Sequence, residues 1–206
     1  MWEGQAVVIF ASGESMNAEV AKKVQHVTAL RTIAINNNFL LAPWADLLFA
    51  SDARWWDIYK KKGALEFLGY KVCLEQTSHA EVLVLKNTGD RGFDPNPANL
   101  RTGRNGGYQA VHLAAHTGVR KILLCGFNMQ GGHWHKEHEA PLKTTPKDLY
   151  PQWIRMFAEL AKELQARKIE VINCTPDSAL RCVPYVDLDL ALWQITEDSK
   201  PCALSA

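Results

Sequence analysis

The stretch "LRTGRNGGYQAVHLAAHTGVRKILLCGFNM" (residues 100–129) decides how this chain folds. It opens on a glycine-rich turn, "TGRNGG", passes through a helical pattern over 107–118, and ends in "KILLCG" (121–126), an apolar run without polar alternation. Such a run, closed by glycine, reads as a strand covered on both faces, because both of its alternating sets of side chains must leave water. Helices are what cover a strand in that way. One helix–strand unit of this type therefore points to an α/β sheet built mainly from parallel strands.

The same unit recurs along the chain. Apolar or β-branched runs stand at "AVVIFA" (6–11), "TIAIN" (32–36), "DLLFAS" (46–51), "KVCLE" (71–75), "EVLVLK" (81–86) and "IEVIN" (169–173). Helical patterns lie between several of them, at 17–27, 53–69 and 150–168, the last with Trp153, Met156, Phe157, Leu160, Ala161 and Leu164 on one stripe. The expectation is a single Rossmann-like α/β domain over 1–198 with helices on both faces, and a flexible tail over 199–206. A chain of 206 residues buries enough core for this without disulfide or metal staples. Its 23 basic and 22 acidic residues exclude general nucleic-acid binding through bulk charge. Five cysteines, odd in number and without a C-x-x-C pair, read as reduced thiols of a cytoplasmic protein, and no apolar run is long enough to span a membrane.

Two stretches, 86–107 and 128–150, break the alternation and are rich in Gly, Pro, Asn and Asp. Loops of that length inside a compact domain are functional or disordered. They flank the helix and strand of 107–126, so both can reach one end of a wound sheet.

Four places carry candidate chemistry. In "FASGESMN" (10–17), Gly13 permits a tight turn and Ser15 can cap the next helix or face a phosphate. In "INNNFLLAPWADLLFASDARWW" (35–56), Asn37 offers a carboxamide to a base, ribose or phosphate, or only an Asx-turn. Asp52 there is a helix cap, a ligand-facing acid, or both, whereas Trp55 and Trp56 suit helix packing better than base stacking. In "TGRNGG", Arg101 and Arg104 flank a bare helix start, which suits phosphate; the alternative is a solvated loop. His112 and His116, four apart, lack a third ligand in register and suit helix-face or core roles. The fourth place is "GGHWHKEH" (131–138), where His133, His135 and His138 read as a general base, a metal cluster or a polar loop. Proton transfer is the reading the ligand count favours, since a zinc site needs three or four ligands at customary spacing.

The order of these pieces resembles the Rossmann-like superfamily that contains the bacterial sialyltransferases of the Campylobacter type and the 6-hydroxymethylpterin diphosphokinase MptE-like proteins. The segments 105–142 and 150–180 also resemble uncharacterised proteins of tailed phages and prophages. In the sialyltransferases such turns hold a cytidine-monophosphate sugar and a loop histidine is the base. By position the resemblance implies that Gly13, Ser15, Asn37, Asp52 and Gly106 hold the donor, and that His133, His135 or His138 is catalytic. "INCTPDSAL" (172–180) is similar to the family's closing turn, which brings Asn173, Thr175 and Ser178 near the donor's base, with capping as the alternative.

The expected function is thus a nucleotide-dependent transferase, glycosyltransferase-like, using a nucleotide-sugar donor and a loop histidine as base. A magnesium-dependent diphosphokinase of the MptE-like type, with Asp52 as a metal ligand, is one alternative. A non-catalytic phage accessory protein on the same fold is the other. No tightly bound cofactor is expected beyond magnesium accompanying a nucleotide, and no membrane partner. The acceptor is open, and so is a homo-oligomer.

Overall fold

The computed structural model describes residues 1–135, 142 and 146–199. In chain order its strands are β1 (Ala6–Phe10), β2 (Leu30–Ile35), β3 (Leu47–Phe49), β4 (Tyr70–Cys73), β5 (Leu83–Val84), β6 (Lys86–Asn87), β7 (Asn99–Leu100), β8 (Lys121–Cys125) and β9 (Glu170–Asn173). Seven of them form one sheet in the order β5-β4-β3-β2-β1-β8-β9, and every pair is parallel. β1 is an interior strand, with Val8 opposite Thr32 on one side and Leu123 on the other. The chain therefore steps outward from β1 to β5, returns, and continues beyond β1 through β8 to β9. The protein is a single-domain, Rossmann-like α/β fold, and its strand order reverses at β1.

The helices are α1 (Ala18–Gln25), α2 (Ala53–Tyr59), α3 (Gly106–His116), α4 (Tyr150–Ala166) and α5 (Leu188–Asp198). Strand periodicity sorts them between the faces. Val7, Ile9, Ile33, Ile35, Ile122 and Leu124 point into the layer of α3 and α4. Val8, Phe10, Ala34, Leu48, Leu123 and Cys125 point into the layer of α1, α2 and α5. Fully burying one such aliphatic side chain contributes about 1.5–3 kcal/mol, so the unbroken apolar runs are what the two layers require. Among the described residues no helix is long and apolar enough to cross a membrane.

Four details differ from the sequence expectation. The helix expected over 53–69 stops at Tyr59, tightens into a 3-10 turn at Lys60–Lys62, and ends at Gly63 with φ of 87°. Glycine adopts that left-handed conformation without a Cβ clash, so it terminates the helix. Asn36–Leu40 forms a 3-10 turn, not a strand end. The stretch 86–107 holds a small parallel pair, with Lys86 opposite Asn99. The helix α5, absent from the sequence reading, is capped by Asp187, whose carboxylate accepts from the N–H groups of Asp189 and Leu190.

Candidate functional site

In open α/β sheets the place where strand order reverses leaves a crevice at the strands' carboxyl ends. Here the protein fills much of that crevice itself. Beyond β1 and β8 the two chains stay joined: Ala11 N–H donates to the Cys125 carbonyl (2.8 Å) and Gly13 N–H to that of Gly126 (2.9 Å). Ser15 Oγ donates to Asn128 Oδ1 at 2.7 Å, and Gly13 forms an antiparallel bridge with His133. Trp134 N–H donates to the Ser12 carbonyl (3.1 Å), while its indole donates to Asn38 Oδ1 (3.0 Å). The histidine loop thus begins docked on the first-strand turn. A Cβ on Gly13 would sit 2.2 Å from Asn128 Oδ1, so this glycine is required by the junction itself.

The open space lies beside the junction, on the α3 and α4 face. Two cavities of about 780 and 140 Å³ share Asn36, Asn105, Gly106 and Trp153 in their walls and so form one cleft. The smaller part reaches Gly13 and His133; the larger extends over Asp52, Glu75, Arg104 and Gln109. Asn105 caps α3 by accepting from the N–H groups of Gly107 and Tyr108. A Cβ on Gly106 would meet only Ile35 Cγ2 at 3.4 Å, an ordinary contact. Packing therefore does not demand a glycine there, and its missing side chain leaves the cleft open.

The charged groups are arranged unevenly. Asp52 precedes α2 but its carboxylate caps no N–H. Burial, and then the Glu75 carboxylate, raise its pKa above the usual carboxylate range. Glu75 Oε2 takes the cap position, accepting from Ala53 N–H at 3.0 Å. Arg104 donates through Nε to Asp90 at 2.8 Å, and Asp90 is held below the usual range by the Thr102 hydroxyl first and Arg104 second. His133 stacks on His135 with centroids 5.2 Å apart. Burial, followed by repulsion from His135, lowers the His133 pKa, so the ring is neutral at pH 7 and able to accept a proton.

Several expected site residues lie elsewhere. Asn37 has both ends of its carboxamide engaged: it donates to Tyr59 Oη (2.7 Å) and accepts from Trp55 Nε1 (3.1 Å). It does not line the cleft. Trp55 stacks on Tyr59 at 4.7 Å and Trp56 is wholly buried, so both pack the helix, although Trp55 also reaches the cleft wall. Arg101 is outside both cavities; it donates to the Thr88 carbonyl and pairs with Asp94 at 3.9 Å. Asn173, Thr175 and Ser178 line a different cavity, of about 390 Å³, that shares no wall residue with the cleft. Their side chains lock the turn after β9 beneath β8: Thr175 Oγ1 donates to the Leu124 carbonyl (3.2 Å) and Ser178 Oγ to that of Phe127 (2.6 Å). His138 lies outside the described residues.

His112 is a core residue. Its Nδ1 accepts from Arg101 N–H at 3.0 Å, which leaves the proton on Nε2, 3.2 Å from the Asp94 carbonyl. It anchors the 86–107 excursion to α3. Among the described residues no group of three or more His, Cys, Asp or Glu side chains is gathered for a metal.

Sequence reasoning missed Asn36, Glu75, Gln109 and Trp153 as cleft residues. Asn36 carried a signal, since asparagine tolerates the left-handed conformation it adopts here, φ of 50°. Gln109 and Trp153 carried none, because each sits within a regular helical pattern.

The fold and cleft together define a Rossmann-like α/β protein with a polar cleft above the carboxyl ends of its central strands. No family model matches this chain, and no curated protein matches it in sequence.

Proposed function

We propose that the protein is a nucleotide-dependent transferase that binds its donor in this cleft, with His133 as general base. The observation that carries the reading is the continuity of the two cavities. A space large enough for a nucleotide passes the bare start of α3 and ends against a neutral histidine. In this mechanism Arg104 and the amides at Gly106 stabilise the departing phosphate. His133 takes the proton from the acceptor hydroxyl as that oxygen attacks the donor carbon. The resemblance to sialyltransferases makes a nucleotide sugar the leading donor.

The test is a thermal-shift screen of nucleotides and nucleotide sugars, because a ligand that binds only the native state raises the melting temperature. A ligand that raises it should also support turnover, and His133→Ala should lower that turnover about a hundredfold while sparing binding. Parallel variants at His135 and His138 identify the base if His133 is not it. If no nucleotide or nucleotide sugar shifts the melting temperature, the proposal fails.

One observation favours a second reading. Asp52 and Glu75 place two carboxylates in the wall of the larger cavity, one of them hard to ionise. Such a pair suits a magnesium ion that keeps waters and nucleotide phosphates as further ligands, as a diphosphokinase needs. Magnesium-dependent ATP consumption that Asp52→Asn abolishes would select it.

A further inference from the structure

Two buried polar atoms in the cleft wall lack partners. Gln109 is 6% exposed and its Oε1 accepts no hydrogen bond; Trp153 is 6% exposed and its Nε1–H donates none. They come from different helices, α3 and α4, yet both residues line the larger cavity. Each such unmade bond costs about 1–3 kcal/mol, whereas leucine and phenylalanine at these places would cost nothing of the kind. The arrangement is unfavourable for the unliganded fold and becomes favourable when a ligand supplies both partners.

We infer that Gln109 and Trp153 are the base-recognising pair of the cleft, with a nucleobase edge donating to Gln109 Oε1 and accepting from Trp153 Nε1. This rests on reading the cleft as a nucleotide site. An anion would satisfy the indole but repel the carboxamide oxygen, and a cation would do the reverse. A neutral group with a donor beside an acceptor satisfies both, and the pairing edge of a nucleobase presents that combination. Trp55, Leu74 and Leu142 in the same wall supply the apolar surface a planar ring needs. Arg54 and Arg104, also in that wall, are left for the phosphates.

The test measures AMP, CMP, GMP and UMP binding to the full chain by calorimetry, for the wild type, Gln109→Leu and Trp153→Phe, with urea denaturation of each. The wild type should prefer one base, and each variant should lose about tenfold for that nucleotide and less for the others, compressing the ranking. Gln109→Leu should be at least as stable as the wild type, since it removes an unmet acceptor; a residue kept for packing would lose stability instead. Equal losses for all four nucleotides, the mark of a sugar or phosphate contact, or no loss at all, would overturn the inference and leave the nucleotide reading standing. If the wild type binds none of the four, the nucleotide reading falls and the inference falls with it.

Discussion

Acidification should destabilise this fold between about pH 6.5 and pH 4, chiefly through His112. Burial is the main reason its pKa is pushed down to about 4, from 6.5 for an exposed ring. The charge of His116 works in the same direction, while the Asp94 backbone contact and the Asp94 carboxylate oppose it. Its Nδ1 is committed to accepting from Arg101 N–H, so a proton added there would replace that hydrogen bond with a clash of two donors. The unfolded chain takes up a proton below pH 6.5 and the folded chain does not until about pH 4, so stability is lost as pH falls through this window. The displacement of pKa corresponds to about 3 kcal/mol in total, or roughly 1 kcal/mol per pH unit midway. His116 and His133, both lowered by burial, add in the same direction. Asp52, whose pKa is raised, opposes them in the lower part of the window.

The assay is urea denaturation at half-unit steps from pH 7.5 to 4.5, for the wild type and His112→Phe. The variant should be less stable at pH 7, because the Arg101 N–H loses its acceptor, yet its stability should fall less steeply on acidification. NMR titration gives an independent reading of the His112 ring. An unchanged pH slope in the variant, or a ring titrating near 6.5 in the folded protein, would refute the reasoning.

Gly13→Ala should cost about 1–3 kcal/mol, because its Cβ would lie 2.2 Å from Asn128 Oδ1 and 2.4 Å from the Gly126 carbonyl. The check is a lower urea midpoint at unchanged slope. Cys73, Cys125 and Cys174 are buried, and burial raises their thiols to about 11, well above the usual value, and to about 12 respectively. They should resist a thiol reagent in the native protein and react in urea, as mass spectrometry of the labelled peptides would show.

The sheet was legible because a strand covered on both faces has no choice of composition, and "AVVIF" and "KILLC" show it plainly. Helix α5 was not legible. Its buried Leu188, Ala191, Leu192 and Ile195 share the helix with exposed Leu190 and Trp193, which blurs the contrast between its faces. At the site, the turn "RNGG" announced a helix start, and Asp52 announced a strand end. The partners of Ser15 could not be read, because Asn128 is 113 residues away along the chain. An orphaned atom such as Gln109 Oε1 is likewise a property of everything packed around it.

The same long-range pairing decides where a ligand can sit. Gly13 and Ser15 look in sequence like parts of a phosphate-holding turn, but with Asn128 they close the reversal point between β1 and β8 on itself. Among the described residues, the space beside that filled crevice extends over the ends of β2, β3 and β4, beneath the starts of α3 and α4. A residue matters to this cleft by facing that space, which is why Asn36 and Gln109 belong to it while Asn37 and Arg101 do not. His133 takes part in both arrangements: its backbone completes the closure through the bridge to Gly13, and its residue forms the inner wall of the cleft. Loosening the closure should therefore move the histidine, and a variant such as Asn128→Ala should impair turnover through His133 without touching the donor's base.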